Sequence, residues 1–351
     1  MKTKISLSGL LGLVCMMGCL HLPLSAQDIH FSQFGNMPIN LSPGLNGVFG
    51  GDIRAVGNFR DQWRSIVPYR TFCVSAEKKM YLEPGRYDRY LSAGLLVNAD
   101  RQGSLQLSSL QVGLPISLTL PTRKNHFITL GVTPAFGQRK FSTDKMTFDA
   151  QWVNSVYDPL ANSREDQLFQ RTNIQYFDLS AGLNYRIQSP ALRSYLDFGA
   201  GIHHFNRPDH DFWSSGFDGV GEVRLSSKQS FYAMGLLQID PRFDLAANGM
   251  YQEQGAYREL VYGGGLRWHA IRDAYNEFSI QAGANYRHFF RDAIIPYVEL
   301  RWKTWTLGVS YDWNWKSEVK VLTKRRAGPE VSLIYRHYNI KMPKFKSCPM
   351  I

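Results

Sequence analysis

A two-residue alternation of apolar and polar side chains returns along this chain in segments of about ten residues, and few folds accept that pattern. Between Trp305 and Trp315 one set is Trp305, Leu307, Val309, Tyr311, Trp313 and Trp315; the other is Thr306, Gly308, Ser310, Asp312 and Asn314. Successive strand side chains point to opposite faces, so this segment is a strand with one apolar face, aromatic at its ends, and one polar face. Phe177, Leu179, Ala181, Leu183 and Tyr185 repeat the scheme. After residue 24 no apolar run approaches the ~20 residues that a spanning helix needs.

A soluble sandwich also alternates. Three features favour a barrel in lipid: segment lengths near the 9–11 residues a tilted strand needs to cross the hydrocarbon, aromatics at the ends of the apolar faces, and opposite faces of Ser, Thr, Asn, Gly and charge that suit a polar lumen. Aromatic residues make up 13% of the chain, enough for two interfacial girdles, while charged residues, at 20%, fall below the usage of soluble domains. Strands are expected at 48–60, 69–79, 88–98, 105–120, 126–140, 173–188, 193–206, 229–239, 241–253, 256–270, 274–289, 292–302, 303–315 and 327–341. The fold class is therefore all-β, a transmembrane antiparallel outer-membrane barrel of about 14 strands, an even number as closure requires. Long loops are expected near 141–172 and 207–228, and residues 27–47 form a short N-terminal periplasmic lead-in to a single domain, 27–351.

Lys2 and Lys4 precede an apolar stretch from Ile5 to Leu24 that ends in Leu24, Ser25 and Ala26, so residues 1–26 read as a signal peptide. Cys15 and Cys19 fit a lipoprotein pattern poorly. The net charge of +11 taken alone suggests nucleic acid or an anionic surface. Export removes nucleic acid as a partner and leaves a charged lumen, a loop surface or anionic lipid headgroups. Cleavage leaves Cys73 and Cys348 with no metal-type spacing, either as two free thiols or as one long-range bridge.

His203, His204, Asp209, His210 and Asp211 form the densest group of candidate metal ligands. On a strand His203 and His204 would point to opposite faces, which argues against a shared ion and for a strand-to-loop turn. Ser214 and Ser215 lie near His210 and Asp211, but no nucleophile elbow is present. Gly263, Gly264 and Gly265 sit inside a strand and read as packing rather than a phosphate loop. The Trp and Tyr residues read as interfacial belts rather than a sugar platform, and Lys324, Arg325 and Arg326 as a solvated turn. No catalytic residue, cofactor or metal is expected.

Gln27, Asp28, Phe31, Ser32, Gln33 and Phe34, followed by Pro38, Asn40, Pro43 and Gly47, resemble the start of mature PorP/SprF outer-membrane proteins of the Bacteroidetes. Further similar segments follow in order: Phe59, Arg60, Asp61, Gln62 and Trp63; Gly199, Gly201, His203, Asn206, Pro208 and Asp209; Pro241, Tyr251, Gln254, Gly255 and Glu259; Gly328, Pro329, Glu330, Ser332 and Tyr335; and Cys348 with Pro349. The chain departs where Asp61 replaces a usual Asn and where Ser42, Pro43 and Gly44 replace Asn-Pro-Ala. The resemblance implies a multi-pass outer-membrane barrel of the type IX secretion system, non-enzymatic, working in contact with outer-membrane lipid. Its implied partners are periplasmic ring or peptidoglycan-associated components, or a secreted adhesin or other substrate held at the surface. The same resemblance marks Phe31, Ser32, Gln33, Phe34, Arg60, Gln62, Trp63, His203, Asn206, Pro208, Gln254, Glu259 and Glu330 as structural or partner-binding positions. A passive porin is the alternative, and a lipid-modifying enzyme dependent on His203 or His210 a third reading. The lead-in could plug the lumen, reach a periplasmic partner or pack under the barrel.

Overall fold

A computed structural model of the chain describes residues 28–63, 68–103, 106–142, 151–153, 156–158, 172–189, 192–210, 212, 223–272, 276–289, 293–314 and 326–339. The expected signal peptide, residues 1–26, lies outside them, as do Gln27, Ser214, Ser215 and Cys348. The strands are β1 (Ile53–Gln62), β2 (Tyr69–Glu83), β3 (Arg86–Gln102), β4 in two pieces (Leu107–Gly113 and Ile116–Arg123), β5 (His126–Lys140), β6 (Asn173–Gln188) and β7 (Tyr195–His203). They continue as β8 (Lys228–Gln238), β9 (Phe243–Gln254), β10 (Tyr257–Arg272), β11 (Glu277–Arg287), β12 (Ala293–Trp302), β13 (Trp305–Asn314) and β14 (Arg326–His337). Each pairs antiparallel with its sequence neighbours, and β1 pairs with β14 from Ile53 opposite His337 to Arg60 opposite Glu330. The result is a closed 14-strand barrel without a free edge.

Alternation falls out inverted relative to a soluble protein. On β13, Trp305, Leu307, Val309, Tyr311 and Trp313 are exposed on the outer surface, while Thr306, Ser310, Asp312 and Asn314 are buried in the lumen. On β6, Phe177 and Leu183 face out, and Asp178, Ser180 and Asn184 face in. An outer surface of this kind belongs in hydrocarbon, where its exposure costs nothing. The chain is an outer-membrane barrel.

Both ends carry short turns, among them 255–256, but the longest connections lie at one end only. One end carries tight turns at 84–85, 124–125 and 303–304; the other carries the long connections 141–172 and 204–227. Short turns mark the periplasmic end of such barrels and long loops the outside. The expected strand 193–206 stops at His203, because His204 and Arg207 take left-handed backbone angles of +55° and +43°. Strand β1 begins at Ile53 rather than 48, since Val48 and Phe49 are still buried inside the barrel.

Candidate functional site

The lead-in does not lie beneath the barrel, as a periplasmic segment would. It runs through the lumen. Asp28 sits at the long-loop end, its amide donating to Gln254 Oε1 (3.0 Å). Gly47 lies toward the short turns, its amide donating to Glu77 Oε2 (2.6 Å), and β1 then climbs back through the wall. Between these points the segment makes two 3-10 turns, Phe34–Asn36 and Pro43–Leu45, around a short helix, Pro38–Leu41. Prolines open the last two, where no amide hydrogen is needed, and the Ser42 hydroxyl accepts from the Gly44 amide.

This fold gives the lead-in apolar side chains on both flanks. Phe31, Met37 and Ile39 pack on Val56, Cys73, Leu96 and Ile334; Phe34, Leu41, Leu45 and Val48 pack on Tyr232, Met250 and Val261. Cys73 is a buried free thiol that accepts from Asn40 Nδ2 at 3.2 Å. Side-chain-free wall meets the lead-in backbone at Gly131 and Gly182, which face each other across β5 and β6. A Cβ on Gly131 would stand 2.0 Å from the Pro43 carbonyl oxygen, and one on Gly182 2.3 Å from Ser42 Oγ.

The polar lumen wall supplies acceptors where the lead-in presents donors. Glu330 accepts from two consecutive backbone amides, Ser32 (2.7 Å) and Gln33 (3.1 Å), and from Asn58 Nδ2 (3.0 Å). The Ser32 hydroxyl donates to Asp312 Oδ1 (2.5 Å). Gln33 Nε2 donates to Ser310 Oγ (3.0 Å) and to the Glu330 carbonyl (2.9 Å). Arg60 donates to the His30 carbonyl and to Asp312 Oδ2, both at 2.6 Å. Arg287 joins Asp312 (3.0 Å) to Glu259 (3.1 Å). All five charged groups are nearly solvent-free, so each depends on the others for its charge to be tolerated there. Burial, reinforced by the Arg60 and Arg287 cations, pushes the His30 imidazole well below its ordinary range and keeps it neutral.

A second latch closes the long-loop end. Asp28 Oδ2 meets Lys228 Nζ at 2.5 Å and His204 Nε2 at 3.3 Å, while His204 Nδ1 lies 2.9 Å from Asp178. Burial opposes the charged forms here, yet Lys228 and His204 hold the Asp28 carboxyl well below the usual carboxylate range, and the two carboxylates raise His204 to about 9. The stabilisation from His204 is complete below its ordinary 6.5 and is lost as pH climbs through about 9; that from Asp28 is present above 3.8 and lost only on acidification below that value. A spin label at Ile29→Cys is therefore expected to stay immobile near neutral pH and to loosen above pH 9, with a loss on the order of 3 kcal/mol. Equal mobility on both sides of that pH would contradict the latch.

Among the expected site residues, Ser32, Gln33, Arg60, Glu259 and Glu330 meet in one network, Phe31 and Phe34 anchor the two apolar clusters, and Gln254 holds Asp28. His203 turns its Nε2 toward the Leu41 carbonyl at 3.4 Å. Gln62 is buried at the long-loop end of β1 beside half-exposed Trp63. Asn206 stays at the rim, bridging the Phe177 carbonyl and Leu179 amide, and the Pro208 carbonyl accepts from Leu225. Contrary to strict alternation, His203 and His204 both face inward, because the strand ends between them. They share no ion site: His204 has a carboxylate at each ring nitrogen, and the Arg139 guanidinium lies against both nitrogens of His210. Among the described residues no three His, Cys, Asp or Glu side chains are grouped to hold a metal. Asp312, Arg287 and Lys228 belong to no motif, and their signal is charge on a lumen-facing strand position; Asp28 stands in the lead-in segment, and His204 pairs with carboxylates rather than serving as the metal ligand considered for it.

The family model described as type IX secretion system membrane protein PorP/SprF matches residues 24–327. The chain belongs to the PorP/SprF family. No curated protein matches the sequence. Among solved structures, this PorP/SprF barrel is similar to the Pseudomonas putida toluene transporter TodX (10% identity, 88% of this chain and 94% of that one, TM-score 0.48). It is also similar to the monoaromatic hydrocarbon channel CymD (12% identity, 89% and 94%, TM-score 0.46) and to BamA from Haemophilus ducreyi lacking POTRA domains 1–3 (10% identity, 81% and 70%, TM-score 0.42). In this PorP/SprF chain the matched region takes in the lead-in, Arg60 of β1 and Glu259 of β10.

Proposed function

We propose that this barrel is a non-enzymatic component of type IX secretion that works by holding proteins at its two ends. The short turns and the region around Phe49 would meet periplasmic ring or peptidoglycan-associated components, and the long loops a secreted adhesin or other substrate kept at the surface. One observation carries the reading: the lumen is filled along its length by residues 28–47, packed on both flanks and tied by buried charge. An interior so occupied serves a scaffold better than a passage. His203 and His210, the residues an enzyme reading would need, are turned to the Leu41 carbonyl and to Arg139.

The test is a mild-detergent pull-down of the tagged protein from native outer membranes with mass spectrometry, beside conductance in a planar bilayer. Co-purification of type IX periplasmic components, or of a large protein carrying a type IX C-terminal domain, together with low conductance is the expected result. A barrel recovered alone that conducts ions steadily would leave a porin.

A further inference from the structure

Strand register lines up a row of cations on the outside of the wall. Arg70 of β2 faces Arg101 of β3, Arg101 faces Ser108 of β4, and Ser108 faces Lys140 of β5. All three cations are exposed, on the same outward face as Phe72, Leu110 and Phe136. Two residues toward the barrel middle the row reads Phe72, Ala99, Leu110 and Gln138, and the next reads Val74, Val97, Val112 and Phe136. The cations thus stand at the upper edge of the apolar belt, about 7 Å above its first row at the rise of a strand. They lie at the long-loop end, which faces the outer leaflet.

Spacing and charge narrow the ligand. Three strand separations place Arg70 and Lys140 about 14 Å apart, longer than one phosphate and suited to a sugar headgroup with anionic groups at both ends. Between them lies a groove of about 700 Å³ whose lining includes Arg70, Arg101, Lys140, Ser108, Gln138 and Phe72. Two carboxylates, Asp61 and Asp100, stand against the three cations. Asp61 stands 3.7 Å from Arg70, Arg101 donates to Gln106, and Lys140 has no ion-pair partner among the described residues. Asp100 also lines the groove, and its carboxylate accepts from Thr71 and Gln102. Guanidinium groups pair with phosphate in two-point geometry, and a boundary site weakens the competition from water.

We infer that this row is a binding site for the headgroup of a phosphorylated glycolipid of the outer leaflet, whose acyl chains lie on the apolar rows beneath. The test is native mass spectrometry of the full chain in detergent with lipid A carrying its phosphates, and with the same lipid dephosphorylated. The triple variant Arg70→Gln, Arg101→Gln, Lys140→Gln is compared with Arg123→Gln, Lys124→Gln at the short-turn end, and strand content and heat-modifiable migration confirm that both fold. The triple variant is expected to lose about tenfold or more in retained lipid, the control variant to keep it, and the dephosphorylated lipid to bind the native protein no better than the triple variant binds the phosphorylated one. Equal retention by the triple variant overturns the inference. So does an equal loss in the control, which would signal generic charge, or full displacement by excess inorganic phosphate, which would signal a soluble-anion site.

Discussion

Replacing Glu330 with alanine is expected to free the lead-in from the barrel wall and raise ion conductance above that of the native protein. The carboxylate accepts from the Ser32 and Gln33 amides and from Asn58, and it neighbours Arg60 at 3.7 Å. Its removal leaves two backbone donors and one cation buried without it. Breaking a buried ionic network from one side costs about 3–5 kcal/mol, enough to shift a docked-to-released equilibrium a hundredfold or more. Strand closure should survive, because the ladder between β1 and β14 is made of backbone bonds that the substitution does not touch. Glu330→Gln, which keeps one acceptor oxygen, should fall between alanine and the native protein. Unchanged conductance in planar bilayers for Glu330→Ala, in protein that still shows heat-modifiable migration, would refute the latch.

Why the barrel was legible and the latch was not follows from the range of the interactions. A strand advertises itself within ten residues: Trp305 to Asn314 states both faces, and the structure puts each residue on the side that alternation gives it. Contacts of the lead-in have no such local trace. Ser32 meets Glu330 across 298 positions, and Phe31, Ser32, Gln33 and Phe34 carry no period that tells wall from lumen. Motif resemblance singled out Ser32, Gln33, Arg60, Glu259 and Glu330 individually; only closure of the barrel brings them to one place. Asp312 and Arg287 show in the sequence only as charges on strands, and it is closure of the barrel that pairs them. His203 and His204 show the opposite failure. Alternation holds only while the strand lasts, and His tolerates the left-handed turn that ends it.

Gly131→Val is expected to eject the lead-in by a route that leaves every charge in place. Gly131 and Gly182 form a bare patch on the lumen face against which the Pro43 and Gly44 backbone lies, and the new Cβ would meet the Pro43 carbonyl oxygen at 2.0 Å and its carbon at 2.4 Å. Backbone against backbone offers no rotamer to relieve the overlap, so the cost belongs at or above the upper end of the ~1–3 kcal/mol typical of overpacking. The strand itself should gain, since glycine weakens a strand interior and valine favours one. Opposite signs therefore separate the two elements: barrel melting unchanged or raised, lead-in docking lost. Conductance and the mobility of a label at Ile29→Cys report the second, and unfolding in denaturant reports the first. Because Gly131→Val and Glu330→Ala release the same segment, their double variant should open little further than either alone. Fully additive effects would mean that the glycine patch and the carboxylate network hold two independent parts of the lead-in rather than one plug.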